Sequence, residues 1–180
     1  SDIKKEIHHH NKNIVVEYKE QGEFMVELKF AGDILIFVMH TNIFHFEKDH
    51  HIWKLSYVDK DHSKSYCGMI NVYNFLTDSF KYNRINDAGY MVARLFVNKE
   101  MHYFVEGKRQ LGFLYNDFQN SKLDIQAIRS IIESSILYSL SFDLYTPPYD
   151  AVKEISVQDM NDASQYLNMK TGKRVGFRFQ

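Results

Sequence analysis

The chain has one cysteine, two prolines and eight glycines among 180 residues. A single thiol, Cys67, closes no disulfide within the chain, so a reducing, cytoplasmic setting is expected. No Asn-x-Ser/Thr site occurs among the 12 asparagines, which fits that setting. Long hydrophobic runs are missing as well. The longest stretches free of Asp, Glu, Lys and Arg are Ile34–Phe46 and Ser65–Thr77, 13 residues each. A membrane span needs roughly 18–20 apolar residues, so no membrane partner is expected. Ser1-Asp2-Ile3-Lys4-Lys5 is followed by no apolar core, and no signal peptide is expected. Charge of one sign is lacking too: the net charge of −1 argues against the basic field that nonspecific nucleic-acid binding uses.

Several short signatures are absent. There is no GxxxxGK[ST], GxGxxG, HExxH, GxSxG or CxxC. The chain therefore lacks the common nucleotide, dinucleotide, zinc-hydrolase and serine-hydrolase motifs. The expectation leans to a protein that is not an enzyme, and no cofactor is predicted.

What is present is 44% hydrophobic and 25% charged, which excludes disordered and fibrous chains, with 14 Phe, 12 Tyr and 9 His. Phe24, Val26, Leu28 and Phe30 alternate with Met25, Glu27 and Lys29, as a strand with one wet face does. Ile14–Lys19 precedes that strand across Gln21-Gly22, and Ile34–His40 follows it across Ala31-Gly32-Asp33. Further strands are expected at Ile43–Glu47, Trp53–Tyr57, Tyr66–Tyr73, Met91–Val97 and Met101–Val105. Turns of a few residues leave no room for helical crossovers, so the sheet should be antiparallel.

A capping-box-like Ser121-x-x-Asp124 opens a helix over Leu123–Leu140, with Ile125, Ile128, Ile132 and Ile136 near one face. A second helix is expected from Ser156 to about Leu167, a final strand at Val175–Phe179, and one more helix at Asp2–His10. The expected fold is α+β: an antiparallel β-meander of about eight strands, open or barrel-like, under a long helix in the C-terminal half. No linker divides it, and residues 1–180 read as a single domain, with the meander at 13–106, the helix at 121–141 and an α/β tail at 150–180.

Three groups of residues suggest chemistry. Gly107-Lys108-Arg109 is echoed by Gly172-Lys173-Arg174, a glycine followed by two cations that could grip phosphate or carboxylate. Between two strands, the polar block Asn74–Asp87 carries Lys81 and Arg84 interleaved with Phe80 and Tyr82. Together, Lys81, Arg84, Lys108, Arg109, Lys173 and Arg174 predict a non-enzymatic ligand-binding or regulatory domain for an anionic small molecule or an acidic protein partner. Without function, the same residues read as solvated turns and an edge strand kept soluble by charge.

The third group is histidine-rich. His45, His50, His51, Asp61 and His62 are candidate metal ligands for a metal-assisted hydrolase, although their spacing matches no zinc signature. Cys67, inside an apolar run, reads as a small buried hydrophobe rather than a nucleophile. Surplus Tyr and Phe also suit a self-assembling protein, and a homo-oligomer is a further expectation. A single-stranded nucleic-acid binder has only the Phe80-Lys81-Tyr82 interleaving in its favour. Charge is segregated: residues 1–62 hold eight cations against eleven acids, whereas Ala163–Gln180 holds four cations and no acid.

Overall fold

Two apolar cores form on opposite faces of one antiparallel sheet, and they give the fold its two sides. A computed structural model of the chain describes residues 16–85 and 87–141. The strands are β1 (Val16–Glu20), β2 (Met25–Phe30), β3 (Asp33–Met39), β4 (Cys67–Leu76), β5 (Tyr90–Asn98) and β6 (Tyr103–Gly107). They lie in sequence order, each antiparallel to the next, as an open six-stranded sheet. The α+β class and the antiparallel meander are thus as expected, and the sheet is open rather than closed.

Two expected strands are replaced. Ile43–Glu47 makes only a single bridge, Phe44 to Cys67. Trp53–Tyr57 is helical instead: a 3-10 turn at His51–Lys54, a short helix α1 (Ser56–Asp59) and a second 3-10 turn at His62–Ser65. The alternation of Trp53, Leu55 and Tyr57 competes with a three-residue spacing of Ile52, Leu55 and Val58. The second pattern wins because it seats Ile52 and Val58, both wholly buried, on the sheet. His50 and Asp61 cap the two 3-10 turns through their side chains.

Cross-strand register assigns the faces. Val16, Phe30, Leu35, Val72, Ala93, Leu95 and Val105 share one face with Leu111, Ile131 and Ile136. Cys67, Met69, Phe96 and Phe104 lie on the other face, covered by Ile52, Val58 and Phe118. The long β3–β4 connection is therefore the lid of the second core.

The remaining helices are α2 (Thr77–Lys81), α3 (Gln110–Leu114) and α4 (Ile125–Leu140). Asp124 caps α4 by accepting from the Ala127 N–H at 2.7 Å. The helix crosses the first face and packs on β3 and β5. Its buried stripe is Ile131, Ser135, Ile136 and Ser139. Ser135 and Ser139 donate to the carbonyls of Ile131 and Ser135 at 2.7 and 2.9 Å, so two small polar residues sit against the sheet with their hydroxyls satisfied. Ile125, expected on the packing face, is 80% exposed. The expected elements at Asp2–His10, Ser156–Leu167 and Val175–Phe179 lie outside the described residues. No helix among the described residues is long and apolar enough to cross a membrane.

Candidate functional site

Helix α4 leans over β3 and β5 and leaves space on its β1 side. The result is a cavity of about 660 Å³ between helix and sheet. Its sheet wall is Val16, Tyr18, Val26, Leu28, Phe37 and Ile70, continued by Val72 and Leu95. Its other wall comes from Ile128, Ile131 and Ile132 of α4, with Leu123 just before the helix. These residues meet because antiparallel pairing puts Tyr18 opposite Leu28, Leu28 opposite Leu35, and Val26 opposite Phe37. The alternation read at Val26 and Leu28 thus marks the cavity wall. Among the described residues, no carboxylate, imidazole, thiol, ammonium or aliphatic hydroxyl lines it. Tyr18, 61% exposed, brings a hydroxyl that donates to Glu20 at 2.6 Å. That hydrogen bond holds the phenol above its ordinary pKa, so Tyr18 is neutral at physiological pH.

The Gly-Lys-Arg residues lie elsewhere. β4 ends and β5 begins at one end of the sheet, and β6 leaves at that same end, so Lys81, Arg84, Lys108 and Arg109 share an end. Lys81 Nζ and the Arg84 guanidinium both sit over the Tyr82 ring, at 5.0 and 5.6 Å from its centroid. Arg84 also approaches Asp87 at 3.9 Å. Lys108 is exposed. Arg109 donates weakly to the Ser141 hydroxyl at 3.4 Å and lies 6.0 Å from the Tyr138 ring centroid. In this turn the positive φ falls on Arg109, at +52°, and not on Gly107. Gly107 serves close packing: a Cβ there would come within 2.8 Å of the Leu111 Cβ. Lys173 and Arg174 lie outside the described residues.

The candidate histidines fall into two groups of ring contacts. His45 lies 4.8 Å from Tyr66 and 5.3 Å from Trp53, and Trp53 meets His62 at 5.5 Å. His50 stacks on Phe46 at 4.5 Å, touches His51 at 4.4 Å, and reaches Glu106 with Nε2 at 3.5 Å. Glu106 is already held by the Arg94 guanidinium, whose Nε is 2.9 Å away. Burial, reinforced by the neighbouring His50, lowers the His51 pKa, so this ring is neutral at pH 7. Asp61 is occupied by the Ser63 hydroxyl and N–H, with Lys99 at 3.5 Å, and the Ser63 bonds hold its carboxyl below the usual range. Among the described residues, no three His, Cys, Asp or Glu side chains gather where they could hold a metal ion. The alternative metal grouping of His45, His50, His51, Asp61 and His62 is not gathered at one point: His45 and His62 lie against Trp53, whereas His50 and His51 lie against Phe46 and Phe104.

No family model, no curated protein and no solved structure matches the chain.

Cys67 is fully buried, and burial pushes its thiol up to about 12. At neutral pH the thiolate that reacts is scarcely populated. Iodoacetamide should leave Cys67 unmodified in the folded protein and alkylate it once denaturant is added, as read by intact mass. Fast modification of the folded protein would contradict this placement.

Proposed function

We propose that the protein is a non-enzymatic binding domain whose ligand is a small apolar molecule, or the apolar body of an amphipath, seated between the sheet and α4. The cavity carries this reading. Its volume falls within the roughly 300–1,000 Å³ range of small-molecule sites. The space opens to solvent and is not a sealed void. Space of that size is filled or wet. Its walls favour an apolar occupant, since each buried methylene contributes about 0.8 kcal/mol. Among the described residues, the same walls offer no acid, base or nucleophile beyond the neutral Tyr18 phenol, and this supports a binding reading.

The test is thermal stability against alkyl-chain and fused-ring compounds. At 100 times its Kd, a ligand adds about 2.7 kcal/mol and raises Tm. Leu28→Trp should narrow the cavity without filling it and diminish the ligand-dependent rise. A panel without effect on the wild type, or an undiminished rise in Leu28→Trp, would refute the reading.

A second reading keeps the anionic ligand or acidic partner at Lys81, Arg84, Lys108 and Arg109, with Lys173 and Arg174. It is favoured by one observation: Arg109 combines φ +52° with ψ −126°, a conformation that glycine tolerates far better. Such strain costs about 1–3 kcal/mol and clusters at functional sites. Arg109→Gly should then stabilise the free protein by about 1 kcal/mol while weakening binding of pyrophosphate or an acidic peptide. Stabilisation with no anion bound by either protein would assign Arg109 a structural role only.

A further inference from the structure

The two edges of the open sheet are treated differently. β6 is covered: Tyr103 N donates to Ser121 O at 3.2 Å and Val105 N to Tyr115 O at 2.8 Å. Along β1, no described residue bonds to the outer side. Gln21 N donates to Met25 O at 2.9 Å, which sets the phase of the β1–β2 ladder. Glu17, Lys19 and Gln21 thus turn their N–H and C=O groups toward β2, while Val16, Tyr18 and Glu20 turn theirs outward. An edge of this kind is a template for another strand.

We propose that this edge pairs with the β1 of a second copy, antiparallel about a two-fold axis at Tyr18. Antiparallel bonding requires outward-facing residues to meet outward-facing residues, and three registers centred within the strand do so. Centring on Glu17 sets Glu17 against its own copy, and centring on Lys19 sets Lys19 against its own copy. Centring on Tyr18 sets each Glu17 opposite the partner's Lys19. The charges of β2 extend the match: Lys29 Nζ lies 3.1 Å from Glu17, and Lys19 stands opposite Glu27. Across the seam the row therefore reads Lys29, Glu17, then the partner's Lys19, then the partner's Glu27. Opposite charges facing each other across strands stabilise a sheet, and like charges oppose it. Tyr18, 61% exposed in the single chain, meets its own copy on the cavity face. The contact is isologous and closes as a dimer, joining two six-stranded sheets into one.

The experiment is light scattering of the full chain over a concentration series, for wild type, Glu17→Lys, Lys19→Glu, and a 1:1 mixture of the two variants. Wild type should form a dimer that dissociates on dilution. Each variant alone places like charges at both pairs of the seam and should weaken dimerisation about tenfold or more. Mixing restores opposite charges at both pairs and should restore the dimer, which a merely misfolded variant cannot do. Tyr18→Pro removes an outward N–H while sparing the β1–β2 bonds, and should be a folded monomer by circular dichroism. It also carries the test if a charge variant fails to fold. A wild type that stays monomeric at every concentration, a mixture no more dimeric than its components, or a dimer that survives Tyr18→Pro would each overturn the proposal.

Discussion

Replacing Phe104 by alanine is expected to cost about 3–5 kcal/mol, the largest loss from truncating any one side chain of the second core. Phe104 is wholly buried at the centre of that core. It stacks on Phe96 at 5.0 Å and meets Phe118 at 5.3 Å edge-on. Phe46, from the β3–β4 connection, closes on it at 5.7 Å. Truncation removes a ring touched from three elements, and strands β5 and β6 cannot move in to fill the gap without breaking their own pairing. With total stability on the order of 5–15 kcal/mol, the variant should have a sharply lower denaturant midpoint. Phe113→Ala is the control: that ring is 83% exposed, and its loss should cost about 0.5 kcal/mol or less. Equal effects at the two positions would mean that the second core is misplaced.

Gly112→Ala should be nearly as damaging although it adds one methyl group. A Cβ at Gly112 would run into the carbonyl oxygen of Gly107, a backbone atom that ends β6 and cannot swing aside. The cost is set by overpacking, about 3 kcal/mol. Gly32→Ala is the matched comparison, since a Cβ there meets nothing within 4 Å. It should be neutral or slightly stabilising, because alanine restricts the unfolded chain. Chemical denaturation of the two variants reads the contrast directly. A mild Gly112→Ala would contradict the close packing of α3 against the end of β6.

Local pattern and tertiary contact divide the fold between what sequence reveals and what it hides. The alternation in Phe24–Phe30 and the continuous run Ile34–His40 locate β2 and β3, because local periodicity follows directly from which face is buried. Helix α4 is legible from its isoleucine spacing, but its cap is Asp124 itself, where the capping-box reading expected Ser121. The lid over the second core is not. Trp53, Leu55 and Tyr57 satisfy a strand period while Ile52, Leu55 and Val58 satisfy a helical one, and only the presence of Phe104 and Phe118 beneath them decides. Eight expected strands become six for that reason, together with the lone bridge at Phe44.

The cavity is hidden differently. Each of its walls is an ordinary core pattern, and the space depends on α4 leaning toward β3 and β5, a tertiary fact. Gly107-Lys108-Arg109 stands out in the sequence for its cations, yet its glycine acts through contact with Leu111 of α3. The histidines stand out as metal ligands, and aromatic packing accounts for their positions. In each case residue type is readable, and the neighbour that gives it a task is not.

The most direct measurement of the central claim is methyl NMR of the protein titrated with an apolar compound from the binding panel, such as a medium-chain alkyl amphipath. Saturable shifts should appear at Leu28, Ile70, Leu95, Ile128, Ile131 and Ile132, all of which line the cavity. Methyls of Ile52 and Val58, in the core on the opposite face, should stay where they are. Shifts confined to Ile52 and Val58, or none at any concentration for any compound, would contradict a ligand site between the sheet and α4.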